Sequence, residues 1–342
     1  MTVPRWGQQQ LSGVVSRLGG SGGLRAGRLE ISVESGGGTL AAVPTVVDNV
    51  NDDAAAFAAQ APDSSVSVSR ALRPAWARAT GTVKSLIPAL VNGYQTFPSS
   101  AAPFTFRSVM GFTSLSTADA LFRLTYYDLA SGATIAREVR VPGRKTVEFP
   151  NVLEQLFGIA PGTKSQGPLF IESDPNGLLW CRVASSLVSG TIGDSFPVVP
   201  IPSEGLTGAG VSRVISIDGL EQSVDRTRGT RSNLILNEVA GKPVTVLVSL
   251  YEAGNRSSPI AAREISLKAL EKVQLSTVFA ELGLDSEERR KDRTNVLCTV
   301  RAMAGVGMAS GIVTTIDNRT GDTRNLALAP SGAGAGGVTI GF

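Results

Sequence analysis

The residues of this chain that could do chemistry are few. None of its 342 residues is a histidine. That removes the commonest general base, the usual metal ligand and every Ser–His or Cys–His nucleophile. The two cysteines, Cys181 and Cys298, each lie in an apolar run, "LLWCRVASS" and "TNVLCTVRA". Two thiols make neither a disulfide framework nor a zinc site, and these read as small buried hydrophobes in different domains. Among the carboxylates, Glu287 and Glu288 fall in the mixed-charge run Asp285–Arg293, which reads as a solvated loop. Glu252 and Glu264 sit on separate strands. No pair has the arrangement that hydrolysis needs, so the chain reads as no enzyme, with no catalytic residues and no cofactor.

Two constellations carry more. Asp317, Asn318 and Asp322, helped by Thr320 or a backbone carbonyl, have the types and spacing to ligate calcium. The same residues also suit a tight hairpin, because Asp and Asn bond their own backbone and Gly321 tolerates left-handed geometry. Trp180 and Arg182 alternate against Leu179, Cys181 and Val183, so they share the opposite strand face and could stack on a sugar or a partner. Packing between modules or under a loop is the plainer reading. Tyr126 and Tyr127 are adjacent, so one faces inward and one outward. The tracts "GGSGG" and "SGGG" lack the lysine and the strand–helix setting of a phosphate loop.

These residues need elements to position them. The composition, 42% hydrophobic and 18% charged, supports real cores, and the length suits two to three domains. The 38 glycines suit many short segments separated by turns. A net charge of +3 with scattered lysines and arginines argues against nucleic acid as a partner. No apolar stretch reaches membrane-spanning length, and residues 1–20 show no signal peptide.

The chain repeats itself. "QQLSGVVSRLGG" matches "VQLSTVFAELGL" without a gap, and "VEFPNVLEQLFG" is a looser third copy. Each predicts a strand end, a one- or two-turn helix and a left-handed glycine cap, and Asn151 with Glu154 has capping-box spacing. The helix would plug the open end of a core. Two strands follow each plug, ending in "AAVPTVVDNVNDD", "LVSGTIGD" or "SGIVTTIDNRTGD". A last strand then runs to a proline. The second and third copies also share front halves, in which Val244, Val246, Val248 and Leu250 alternate with Thr245, Leu247, Ser249 and Tyr251.

The expected fold is all-β: tandem antiparallel Ig-like β-sandwiches of roughly 120 residues, each with one short plug helix. Residues 1–62 form the back half of such a module, incomplete or completed by another element. Residues 63–82 form a linker, 83–204 and 205–331 full modules, and 332–342 a flexible Gly/Ala tail with a short β-prone end.

The third copy, "TRSNLILNEVAGKPVTVLVSLYEAG" through "LEKVQLSTVFAELGL" to "GIVTTIDNRTGD", resembles an uncharacterised repeat module of large bacterial secreted and surface proteins. The family pattern runs R-[ST]-[ND]-L, A-T-V-x-V-x-L-Y-D, V-F-x-x-L-G and V-D-N-x-T-G-D. The resemblance covers most of 205–331 and, more loosely, 80–204 and 1–62. It implies an extracellular or cell-surface, non-catalytic, structural or adhesive array. Its partners would be other protein domains or copies of itself, with Val338, Thr339 and Ile340 available for strand addition to an exposed sheet edge. The alternative is an accessory module binding carbohydrate, such as a surface glycan, or protein.

Overall fold

The computed structural model describes residues 10–17, 45–47, 54–56, 82–96, 104–187, 190–201, 214–319 and 323–331. The sequence-predicted linker up to residue 81 and the tail from residue 332 lie outside them. The described structure is mostly antiparallel β. Helix α1 (Val14–Arg17) and strands β1 (Thr45–Val47) and β2 (Ala54–Ala56) come first, with β1 and β2 paired.

Nine strands follow. They are β3 (Val83–Thr96), β4 (Phe104–Ser114), β5 (Ala120–Tyr127), β6 (Thr134–Val141), β7 (Thr146–Phe149), then helix α2 (Val152–Gln155), β8 (Ser165–Ser173), β9 (Gly177–Leu187), β10 (Gly190–Phe196) and β11 (Val199–Pro200). Nine more complete the chain: β12 (Val214–Gln222), β13 (Thr230–Glu238), β14 (Val244–Tyr251), β15 (Ala261–Leu267), β16 (Lys272–Leu275), helix α3 (Val278–Glu281), β17 (Arg293–Gly305), β18 (Ala309–Asp317), β19 (Thr323–Ala327) and β20 (Ala329–Ser331).

The second nine form two sheets, β15-β14-β17-β12-β20 and β16-β13-β18-β19. The first nine repeat this order strand for strand, as β6-β5-β8-β3-β11 and β7-β4-β9-β10. There β3 also pairs with β4 through Tyr94, Gln95 and Thr96, which joins the two sheets into one. Even an irregularity recurs. The β3–β8 ladder slips between Ile87 and Leu90, and the β12–β17 ladder slips between Ile217 and Leu220. The bulge takes in Pro88, which cannot donate to a ladder, in one case and Asp218–Gly219 in the other.

Each pair of sheets encloses its own core. Met110, Phe112, Phe122, Leu124, Tyr126 and Ile171 are among the residues of the first, and Leu234, Leu236, Val246, Val248, Leu250 and Val300 among those of the second. The alternation read in β14 holds except at Ser249: Val244, Val246, Val248 and Leu250 are core and Thr245, Leu247 and Tyr251 are half-buried, but Ser249 is buried as well. Tyr126 is fully buried and its neighbour Tyr127 is not. Cys181 and Cys298 are buried free thiols, one in each core. Burial raises both, Cys298 to about 12.

The plug helices stand where the sequence places them. Val152 and Leu153, and Val278 and Phe279, are buried against the cores. Gly158 and Gly283 close them at φ 74° and 77°, a region glycine enters without steric penalty. The capping box is only half formed. Asn151 Oδ1 accepts from the Glu154 amide, but the return bond to the Asn151 amide comes from Gln155 Oε1. Glu154 Oε1 turns instead to Asn92 Nδ2 and the Gly162 amide. Two other expectations change. The single last strand of the second and third copies is two strands, β10 then β11 and β19 then β20, on opposite sides of each core. The run Asp285–Arg293 is not simply solvated: Arg290 pairs with Asp285 and donates to the Val224 and Ser223 carbonyls. Arg293 is buried beside Glu252, Gln222 and the Phe279 ring.

Asn92, buried in β3, ties α2 to the sheet. It donates to Glu154 Oε1 and to the Thr163 carbonyl, and accepts from Asn151 Nδ2 at 2.8 Å. Replacing Asn92 with alanine is expected to lower unfolding free energy by about 2 kcal/mol, since three hydrogen bonds made by a buried side chain are lost. Urea denaturation measures this. An unshifted midpoint would mean that the apolar face alone holds the plug.

Candidate functional site

Trp180 and Arg182 do share the outer face of β9, with Leu179 and Cys181 turned into the core. Trp180 pairs with Gly111 on β4, and a Cβ on that glycine would lie 2.2 Å from the indole Nε1. The ring therefore lies across the neighbouring strand, in space that only a glycine leaves free. Arg182 pairs with Val109 one row along, and both are half-buried. The Gly111→Ala variant is expected to displace the indole and lose about 1–3 kcal/mol of stability. Tryptophan fluorescence and thermal melting read both effects together. A variant with parent-like emission and melting would mean that the ring does not rest there.

The Asp/Asn turn is engaged by the protein itself. Asp317 Oδ1 accepts from the Arg319 amide at 2.8 Å, and Asn318 Oδ1 accepts from the Arg231 guanidinium. The Asn318 amide donates to the Gly229 carbonyl. Thus a cation from β13 already sits at the oxygen that the calcium reading requires. Asp322 and Thr320 lie outside the described residues, as do Val338, Thr339 and Ile340. Among the described residues no cluster of His, Cys, Asp or Glu could hold a metal, and no helix is long and apolar enough to cross a membrane.

Sequence reasoning missed the apolar seam between the two strand sets. Leu86, Ala89, Val199 and Ile201 of the first meet Ile235, Val239, Met308 and Ile312 of the second, flanked by Phe170 and Phe196. Every residue of β13 from Ser232 to Glu238 is buried. One side of the strand feeds its own core and the other side the seam. The fully apolar pair Ile235–Leu236 signalled this, because a strand with one wet face alternates.

Polar groups sit in the seam too. Asn325 Nδ2 donates to Asp194 Oδ2 at 2.9 Å and to the Ser195 carbonyl at 3.0 Å. Lys272 is buried and reaches Gln166 Oε1 of the first set at 3.4 Å. Burial pushes its ammonium down to about 8. The neighbouring Asn237 is 0% exposed, and its carboxamide makes no hydrogen bond among the described residues. At one end Glu238 gathers three loops, accepting from the amides of Ala240, Lys242, Leu270 and Met308.

Beside the seam an open groove of about 740 Å³ runs between Phe170, Ile201 and the Val239–Gly241 loop. Four of its charged residues are matched, Lys84 to Glu172 and Arg123 to Glu138, each at 3.1 Å. Arg137 lines it too and donates to the Ala136 and Leu156 carbonyls. Of the carboxylates singled out in the sequence, Glu252 is paired with Lys291 and Arg293. Burial alone would raise it, but those two cations outweigh burial and hold it below the ordinary range.

No family model matches the chain, and no curated protein does. Among solved structures, a cryo-EM structure of broad bean stain virus matches at 13% identity, covering 77% of this chain and 95% of that one with a TM-score of 0.22. A β-glucuronidase of Bacteroides uniformis matches at 12% identity with a TM-score of 0.15, over 66% of this chain but 26% of the enzyme. Likenesses of this size carry no argument about function.

Lys272 makes a direct test of the seam. Its value in the folded chain is about 8, against an ordinary 10.5. Below pH 8 both states are protonated and the folded state bears the full burial penalty. As pH rises from 8 to 10.5 the unfolded chain holds the extra proton, so folding gains stability. The Lys272→Met variant is expected to be more stable than the parent at pH 7, by up to about 3 kcal/mol. That advantage should shrink above pH 8. Denaturant titrations at pH 7 and pH 10 measure it, and a difference that does not change with pH would mean that Lys272 is not desolvated.

Proposed function

We propose that this chain is a non-catalytic structural array. It is built of tandem Ig-like β-sandwich modules, residues 83–204 and 205–331, preceded by part of a third at 1–62. Its place would be in a bacterial secreted or cell-surface protein, as the motif resemblance implies. Its work is to hold neighbouring modules at a set spacing and angle. The observation that carries this reading is the strand order shared by β3–β11 and β12–β20, locked together by an apolar seam. Flexible tethering would leave the outer faces of β13 and β18 polar. Here they present Ile235 and Ile312. The groove fits the same reading, as the side of a joint whose charges serve the protein.

Small-angle X-ray scattering of the intact chain tests the proposal. The parent is expected to scatter as one rigid shape. Ile312→Asp, which buries an unpaired charge in the seam, is expected to broaden the distance distribution while keeping the β-rich circular dichroism. An equally broad parent would remove the rigid-spacer reading. Specific binding of the parent to a glycan array, abolished in Trp180→Ala, would replace it with the carbohydrate-binding alternative.

A further inference from the structure

One row of the seam is polar and lies between apolar rows. Strands β16, β13 and β18 bring Lys272, Asn237 and Ser310 side by side, since Asn237 stands opposite both of the others in register. Residues directly opposite in an antiparallel ladder point to one face. Here that is the seam face, because Asn237 follows Ile235 by two positions and Ser310 precedes Ile312 by two. Ile235 and Ile312 form the row on one side, and Val239 and Met308 stand on the other. The three polar residues are 6%, 0% and 9% exposed. They are rich in donors, three on the ammonium, two on the carboxamide and one on the hydroxyl. Yet Lys272 Nζ reaches only Gln166 Oε1, at 3.4 Å, and neither polar atom of the Asn237 side chain has a partner among the described residues. No carboxylate among them pairs with the ammonium, and burial is the one influence that lowers it. The matching row of the first set, Thr146–Thr113–Leu178, holds no charge, and its two hydroxyls bond each other.

We infer that the row Lys272–Asn237–Ser310 is the seat of a small monovalent anion, of which chloride is the simplest. The inference rests on the packing of the seam and not on the role proposed for the array. A buried ammonium without a counter-charge is costly, and so is a buried carboxamide without bonds. A water molecule would answer the second need but not the first. A metal cation would be repelled by Lys272. An anion answers both needs, since it accepts from N–H and O–H groups of three adjacent strands and balances the one positive charge. With the anion in place, Asn237 Nδ2 donates to it and Asn237 Oδ1 is left to accept from the ammonium. One ammonium balances one negative charge, and the flanking Ile235, Ile312, Val239 and Met308 offer no donors to the further oxygens of a phosphate or sulfate. Strand β16 is the edge of its sheet, so Lys272 stands at the rim, where an ion can enter. The strength of the seam then depends on the anion in the surrounding solution.

Chloride itself is the probe, added to the intact chain at pH 7 and constant ionic strength, with gluconate, too bulky for the row, as the replacement anion. The chloride NMR line is expected to broaden with the parent and to stay narrow with Lys272→Met. In urea titrations the parent midpoint is expected to rise with chloride and then level off. At ten times the half-saturating concentration, the unfolding constant should be about elevenfold lower. The midpoint of Lys272→Met is expected to stay put, so its advantage over the parent is largest without chloride and shrinks as chloride is added. Asn237→Leu, close to the parent in volume, is expected to need roughly tenfold more chloride for the same response. If Asn237→Leu does not fold, Lys272→Met decides alone. A parent whose line width and midpoint ignore chloride would overturn the inference. So would an equal response in Lys272→Met, since the ion would then bind elsewhere. A parent that scatters as one rigid shape yet ignores chloride would remove the anion seat and leave the spacer reading intact.

Discussion

Strand β13 carries the constraint on which the rest of this structure depends. From Ser232 to Glu238 it is buried on both faces, with Leu234 and Leu236 in the core of their own strand set and Ile235 in the seam, where Val239 joins it just past the strand end. Such a strand cannot follow the alternation of a half-wet sheet, because every side chain is removed from water. Once β13 and its neighbour β18 are apolar on both sides, the second set has two stable options. It keeps a partner over the outer face, or it exposes Ile235, Ile312 and Met308 together. The observed packing against Leu86, Val199 and Ile201 is the first of these. The orientation of the two strand sets follows from it.

The seam is not a smooth apolar surface, and its polar residues define register. Apolar packing alone permits sliding. Asn325 reaching Asp194 and the Ser195 carbonyl permits little. Lys272 and Asn237 are the expensive members, one desolvated and the other without a hydrogen bond among the described residues. In the first set the matching positions are Thr146 and Thr113, whose hydroxyls bond each other at 2.9 Å. The same backbone site thus holds a mutually bonded pair in one copy and, in the other, a desolvated ammonium beside a carboxamide without a hydrogen bond among the described residues.

Each core is closed at one end by a helix of four residues, too short to be stable alone. Its support is tertiary. Val152 and Leu153, or Val278 and Phe279, insert into the core, and an arginine from the edge strand holds the helix end. Arg137 donates to the Leu156 carbonyl, and Arg263 to the Glu281 carbonyl. These arginines occupy the same place in the shared "ARE" triplet of β6 and β15. A signal that looks like surface charge in the sequence is a cap for carbonyls that the helix cannot satisfy itself.

Much of this was legible in the amino-acid order. Period-two runs marked the strands, and the thrice-repeated plug phrase located α2 and α3. The alternation about Cys181 placed Trp180 and Arg182 on the outer face. These are local properties, set by side-chain sterics and by which residues share a face. The seam, the groove and the indole over Gly111 were not legible, because each joins segments far apart in the chain. Periodicity shows that a face is apolar but not what covers it. The sequence by itself determined the strands, the plugs and their repetition. Only the tertiary structure decided that β13 has two dry faces, because that depends on which sheet lies opposite, a choice made by packing between distant surfaces.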